Sequence, residues 1–262
     1  MNEKEGMGLI YEIFDPSMPR LGPGDRDSTK KALGAALAAL PDGVHAAAST
    51  KLRILDVGCG NGAQTLRLAG LTQASIVAVD NHQPYLDELQ RRAEHEGVAH
   101  RVRTRCVPMA DMGLDEKSFE VVWSEGALYC MGFREGLEAC HRLLVPRGVM
   151  AVTELTWLRP DAPAECRDFF ASEYPLMTDT DTNVATIKGC KYEMLSVFTL
   201  PSDAWISDYY APLQRRLPAM REKYASDSER LALIESCQTE IDIYGKYSDY
   251  YGYVFYVMRR RG

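Results

Sequence analysis

Residues 54–63, Ile54-Leu55-Asp56-Val57-Gly58-Cys59-Gly60-Asn61-Gly62-Ala63, decide how the rest of the chain is read. The apolar run from Leu52 to Val57, with one acid near its end, has the composition of a buried parallel strand. Three glycines at alternate positions follow. Ala63 to Leu71 then sets Leu66, Leu68, Ala69 and Leu71 at mostly helical spacing. Strand, glycine turn and helix together aim free backbone N–H groups and a positive helix end at a ligand. A side chain at the glycines would block close backbone approach or the positive φ that the turn requires.

The glycines alone are ambiguous, because Gly58-x-Gly60-x-x-Ala63 also satisfies a dinucleotide fingerprint. Asp56 helps to separate the two readings. At the strand's C-terminal edge it would repel a pyrophosphate and pair with a cationic α-amino group. Residues 75–80, Ser75-Ile76-Val77-Ala78-Val79-Asp80, read as a second strand ending in an acid, at about the offset where a carboxylate takes ribose hydroxyls. Two such acids with glycines between them suit a ligand with an ammonium and a ribose but no phosphate, such as S-adenosyl-L-methionine.

At these residues the chain resembles the class I S-adenosylmethionine-dependent methyltransferases. More closely, it is similar to the small-molecule branch related to ubiquinone/menaquinone-biosynthesis methyltransferases. The motifs are Leu55 to Gly62, Val79-Asp80-Asn81, Ala110-Asp111-Met112, and Leu144-Val145-Pro146-Arg147-Gly148 leading into Val149-Met150-Ala151-Val152. Val149 stands where many relatives carry a second glycine. The likeness covers residues 51–160 well and is weaker outside them.

The resemblance implies an α/β fold: a Rossmann-like, seven-stranded, mostly parallel sheet with an antiparallel last strand, helices on both faces and a helical cap insertion. It implies S-adenosyl-L-methionine as cofactor and S-adenosyl-L-homocysteine as product. Asp56 is then the acid near the methionine amino group, directly or through water, or it only orders the glycine loop. Gly58, Cys59, Gly60 and Asn61 supply backbone contacts, and Asp80 accepts from the ribose hydroxyls. Asn81 lies beside the adenine, with Asp111 accepting from its amino group, Met112 packing on the ring and Ala110 in the same turn. Ser124 and Glu125, after the fourth strand, reach the methionine end.

The chain has 262 residues and a net charge of −7, enough for one large α/β domain with an elaboration. An acidic balance disfavours nucleic acid, and Met258-Arg259-Arg260-Arg261 reads as a solvated tail. There is no apolar stretch of spanning length and no basic segment followed by an apolar one after Met1-Asn2-Glu3-Lys4-Glu5, so neither a membrane span nor a secretory signal is expected. The seven cysteines are scattered without C-x-x-C spacing. They point to reduced thiols in the cytoplasm, not to disulfides or a metal site.

Four regions are expected: an N-terminal helical arm or lid at 1–50, the cofactor-binding core at 51–200, a helical cap at 201–249 and a final core strand at 250–262. Ser28 is the expected N-cap of a helix over 29–40, closed by Pro41-Asp42-Gly43. Further strands are expected near 101–107, 119–124, 149–155 and 192–200. Helices are expected near 84–96, 133–144, 161–174 and 183–190. A loop is expected at 178–182, and Ala46-Ala47-Ala48 reads as a loop or frayed helix end. The insertion at 201–247 reads as helical, with breaks near Pro218 and Ser226-Asp227-Ser228.

Displacement at a methyl already activated by a charged sulfur needs alignment more than acid–base chemistry, so no triad is expected. Glu125 and Tyr129 are the candidate catalytic groups, Glu125 as proton acceptor or substrate holder, or else as the partner of an arginine. Tyr11, Glu125, Tyr129, Trp157 and Tyr209 are the candidate substrate contacts. His141, Glu154 and Tyr210 are further candidates, with His141 read as a packing residue. The partner is a small organic methyl acceptor, and the aromatic insertion is either a substrate cap or a homodimer face. A cofactor-binding protein without turnover and an NAD(P)-dependent oxidoreductase are the competing readings.

Overall fold

The computed structural model describes residues 2–41 and 48–262. The expected helix stop at Asp42-Gly43 and the Ala46-Ala47 stretch lie outside them. Helices α1 (Glu3–Ile13) and α2 (Arg26–Ala39) come first. The alternating part follows: β1 (Arg53–Val57), α3 (Ala63–Leu71), β2 (Ser75–Asp80), α4 (Gln83–His95), β3 (Val102–Cys106), β4 (Phe119–Ser124), α5 (Phe133–Leu143) and β5 (Leu144–Trp157). Then come α6 (Ala164–Glu173), β6 (Thr178–Asp179), α7 (Thr180–Gly189) and β7 (Tyr192–Thr199). The insertion holds α8 (Asp203–Trp205), a π turn (Ile206–Tyr210), α9 (Ala211–Lys223) and α10 (Ser228–Tyr247), and β8 (Tyr251–Arg260) closes the sheet.

The strand order is β3-β2-β1-β4-β5-β8-β7, with two-residue β6 pairing beside β5. Every pairing is parallel except those of β8, which runs antiparallel to both β5 and β7. This is the expected Rossmann-like, mostly parallel sheet with an antiparallel last strand, but with eight strands rather than seven, the short β6 being the addition. Alternation along the strands divides the core. Ile54, Trp123, Ala151 and Phe255 face α2, α3 and the insertion, while Leu55, Val122, Met150 and Tyr256 face α5 and α7. Emptying a fully buried position such as Leu55 to alanine costs about 2–5 kcal/mol.

Several expectations are corrected. The N-cap of α2 is Asp25, whose carboxylate accepts from the backbone of Asp27 and Ser28 at 2.8 Å. Ser28 donates its own hydroxyl to the same acid at 2.6 Å, because an anion at the cap outcompetes a hydroxyl for the helix's free N–H groups. The helix expected from 161 begins at Ala164, after Pro163. The 178–182 loop is β6 and the start of α7, capped by Asp179. Pro218 does not break α9: it and Gln214, whose carbonyl loses its helical partner, are exposed, while Leu213, Leu217 and Met220 hold the buried face. The basic run is no tail, since Arg259 and Arg260 belong to β8 and Arg259 pairs with Glu193 of β7 at 2.6 Å.

Candidate active site

The C-terminal edges of β1, β2 and β4 open onto a cavity of about 650 Å³, roofed by the N-terminal segment and the insertion. This is where open α/β sheets place their ligands. Gly58, Gly60 and Gly62 all carry positive φ, at +67°, +53° and +84°. A Cβ on Gly58 would overlap that of Ala127, and one on Gly62 would overlap Leu89. The bend therefore needs glycine for conformation and for space.

Asp80, the last residue of β2, lines the cavity. Its carboxylate accepts from the backbone N–H of Gly60 at 2.9 Å and of His82 at 3.0 Å, and so ties the glycine bend to the second strand. Burial pushes its pKa up, and those N–H groups pull it back. Tyr11 of α1 stacks on His82 at 3.6 Å and reaches Asn81 at 3.3 Å. Tyr11 thus stands beside Asp80, at the end that the resemblance gives to the nucleoside rather than to the substrate. Asn81, Met109 and Ala110 line the same end.

Asp56 does not line the cavity. It is fully buried, accepting from Thr65 Oγ1 at 2.5 Å and Gln64 Nε2 at 3.3 Å, and burial pushes its pKa up to about 7. Gln64 does line it. Its Nε2 is held between Asp56 and the Cys59 carbonyl at 3.3 Å each, which leaves Oε1 as the outward acceptor. Cys59 lines the cavity, and burial pushes its thiol up, away from reactivity. Asn61 also lines it, yet its side chain donates to the carbonyls of Pro16 and Met18 at 3.0 and 2.6 Å, holding the N-terminal segment down.

Glu125 lines the cavity with its carboxylate already engaged. It pairs with Arg20 at 2.6 Å and accepts from Thr29 Oγ1 at 2.8 Å and Trp123 Nε1 at 2.9 Å. Four groups from two elements and two loops thus meet in a buried network. The arginine-partner alternative is the one observed, and the proton-acceptor role is left without a free carboxylate oxygen. Tyr129 is 44% exposed but opens into the cavity, edge-on to Tyr174 at 5.8 Å. Tyr209, set by the π turn, lines the cavity and stacks on Tyr210 at 4.8 Å.

Other candidates fall outside. Ser124 is buried, with its hydroxyl on the Val57 carbonyl at 2.9 Å. Asp111 is exposed, and Met112 packs into the second core cluster. Trp157 lies two residues beyond Leu155, the cavity residue of β5, under Phe170 at 5.6 Å. Tyr210 turns to Glu240, and His141 packs edge-on to Tyr192 at 5.1 Å. Cavity residues missed from sequence include Arg20, Gln64, Tyr85, Glu173, Glu240 and Tyr253.

Glu154 is buried behind Tyr174, which donates to it. Burial pushes its pKa up from 4.5 to about 7, with Tyr174 pulling it back. The acid therefore favours the folded state only while protonated: this contribution is complete below its ordinary pKa and is lost as pH rises through about 7. Glu154→Gln keeps an acceptor for Tyr174. It is expected to differ little from the parent at about pH 4 and to be more stable by on the order of 2–3 kcal/mol at about pH 8. Thermal unfolding across that range checks it, and a pH-independent difference would refute the buried-acid assignment.

Among the described residues no helix is long and apolar enough to cross a membrane, and no group of three or more His, Cys, Asp or Glu side chains is arranged to hold a metal ion.

Residues 54–148 match the methyltransferase-domain family. Over that segment the chain is similar to methyltransferase domains, and its fold is shared with solved S-adenosylmethionine-dependent methyltransferases. Sterol 24-C-methyltransferase erg6 of Aspergillus fumigatus is 30% identical over 112 residues, which are 42% of this chain and 29% of that protein. The uncharacterized methyltransferase YodH of Bacillus subtilis is 30% identical over 120 residues, 46% of this chain and 50% of that one. The chain thus spans half or less of the length of these curated relatives. The solved structure of an S-adenosylmethionine-dependent methyltransferase from Geobacter sulfurreducens, in complex with S-adenosylhomocysteine, superposes with a TM-score of 0.75 at 22% identity, covering 96% of this chain and 98% of that one.

Proposed function

We propose that the chain transfers the methyl group of S-adenosylmethionine to a small organic acceptor by in-line displacement. The observation that carries this reading is Asp80: a largely buried carboxylate, locked to the glycine bend through Gly60 N–H, facing a large cavity with no Lys or Arg ion-paired to it among the described residues. Paired ribose hydroxyls suit that acceptor. Gln64 Oε1, aimed by Asp56, takes the methionine ammonium. Asp56 is thus a positioning residue, and Tyr11, His82 and Met109 flank the adenine.

When bound, S-adenosylmethionine supplies a methyl group already activated by its charged sulfur. The chain's own residues bind, orient and exclude water. Holding both reactants in line is worth roughly 7–11 kcal/mol of barrier. Tyr129, Tyr209 and the aromatic rings of α6, the insertion and β8 form the acceptor half. Helices α8 to α10 roof it as the 201–249 cap, and α1 with the segment up to Asp25 closes the nucleoside half as a lid.

Isothermal titration with S-adenosylmethionine, S-adenosylhomocysteine and NAD tests the cofactor. Binding of the first two without NAD is expected, and the reverse would overturn the reading. Release of S-adenosylhomocysteine in an acceptor screen then separates an enzyme from a protein that only holds the cofactor.

A further inference from the structure

The acceptor half holds two carboxylates that the methyl transfer, as described, leaves unused. Glu240 of α10 and Glu173, the last residue of α6, both line the cavity. Glu240 accepts one hydrogen bond, from Tyr210 Oη at 2.8 Å. Neither acid has an ion-pair partner among the described residues. Arg20, the only Lys or Arg among the described residues lining the cavity, is committed to Glu125.

Burial pushes the Glu240 carboxyl up, and the charge of Glu173 pushes it further. Two acids facing one space repel, and a low-dielectric wall strengthens the repulsion. That wall is aromatic. Phe170, Trp205, Tyr209 and Tyr253 line the cavity beside the acids, and Trp205 leans against Tyr253 at 5.2 Å. An anion here would add to the repulsion, and a neutral ligand would leave it standing. A cation relieves it and meets the negative faces of the rings.

We propose that the methyl acceptor is a small amine, which enters as its ammonium between Glu240 and Glu173 and is methylated on nitrogen. This rests on the methyltransferase reading above. An ammonium has no lone pair, so one proton first passes to the Glu240 carboxylate, the more enclosed of the two, which its surroundings make a better base than an ordinary surface glutamate. The freed lone pair forms the C–N bond as the methyl–sulfur bond breaks, and the bonding pair stays on sulfur. The product leaves as the methylated ammonium, and the proton on Glu240 returns to solvent.

The test is isothermal titration of the S-adenosylhomocysteine complex with butylamine and phenethylamine, each against its matching alcohol. At least one amine is expected to bind in the millimolar range or tighter, and more tightly than its alcohol. Glu240→Gln is expected to weaken that binding by roughly tenfold or more, with S-adenosylhomocysteine affinity unchanged as the control for folding. Glu173→Gln acts in the same direction but less, because its exposure leaves its charge better screened. Amines binding no better than alcohols, not binding at all, or binding regardless of both substitutions would overturn the amine assignment and leave the cofactor reading intact. A Glu240→Gln variant that loses S-adenosylmethionine but keeps S-adenosylhomocysteine would give the acid to the cofactor's sulfonium and overturn it equally. Failure of both nucleosides to bind the unaltered protein would remove the methyltransferase reading itself.

Discussion

Asp80→Ala is expected to weaken S-adenosylmethionine binding by roughly a hundredfold, because two hydroxyl bonds to an ionised acceptor are worth about 1.5 kcal/mol each at the low end. The loss should be as large for S-adenosylhomocysteine, since the ribose is common to both. Folding is expected to survive. The substitution releases two backbone donors, those of Gly60 and His82, but it also removes a carboxylate that burial disfavours. Titration calorimetry measures the affinities. An unchanged dissociation constant would remove the ribose assignment and, with it, the observation on which the proposed function rests.

The second large effect is on stability. Arg20→Ala leaves Glu125, 8% exposed, without its ion-pair partner, which costs about 3–5 kcal/mol. For a chain of this size that corresponds to a fall of roughly 10 °C in the unfolding midpoint. The double variant Arg20→Met with Glu125→Gln is expected to recover most of the loss, because the amide still accepts from Thr29 and Trp123 while no charge is stranded. A double variant as unstable as the single one would mean that Arg20 acts by packing alone. The two predictions separate two jobs at one cavity: Asp80 holds the ligand, and Glu125 with Arg20 holds the wall.

The parts legible in the sequence were those governed by local chemistry. The strand tips at Asp56 and Asp80 and the glycine bend follow from apolar runs ending in an acid, and β2 and β4 fall at the expected residues. What was hidden depends on partners far away in the chain. The sequence leaves open whether Glu125 is a free acid or an arginine's partner, because the partner, Arg20, lies 105 residues earlier. Glu240 shares a helix face with the buried Cys237, Ile243 and Tyr244, so its spacing marks an inward face but gives no sign that the acid meets a cavity. Gln64 and Asp56 are eight residues apart, and only the turn of α3 shows that the amide, not the acid, meets the open space. The Arg259-Arg260 pair reads as a tail because charge suggests solvent, whereas the strand register seats both on β8, beside Glu193 and Tyr192 of β7.

Strand β8 sits between two neighbours, β5 and β7, that both precede it in the chain. Its residues from Tyr251 to Met258 are all buried. While the ribosome is still making the insertion, β5 and β7 each present a row of unpaired backbone groups with no strand between them. The nascent polypeptide must keep that gap open, and shielded from neighbouring chains, until β8 emerges to fill it. Damage to β8 would therefore be felt first as loss of soluble yield, before any defect in ligand handling was seen.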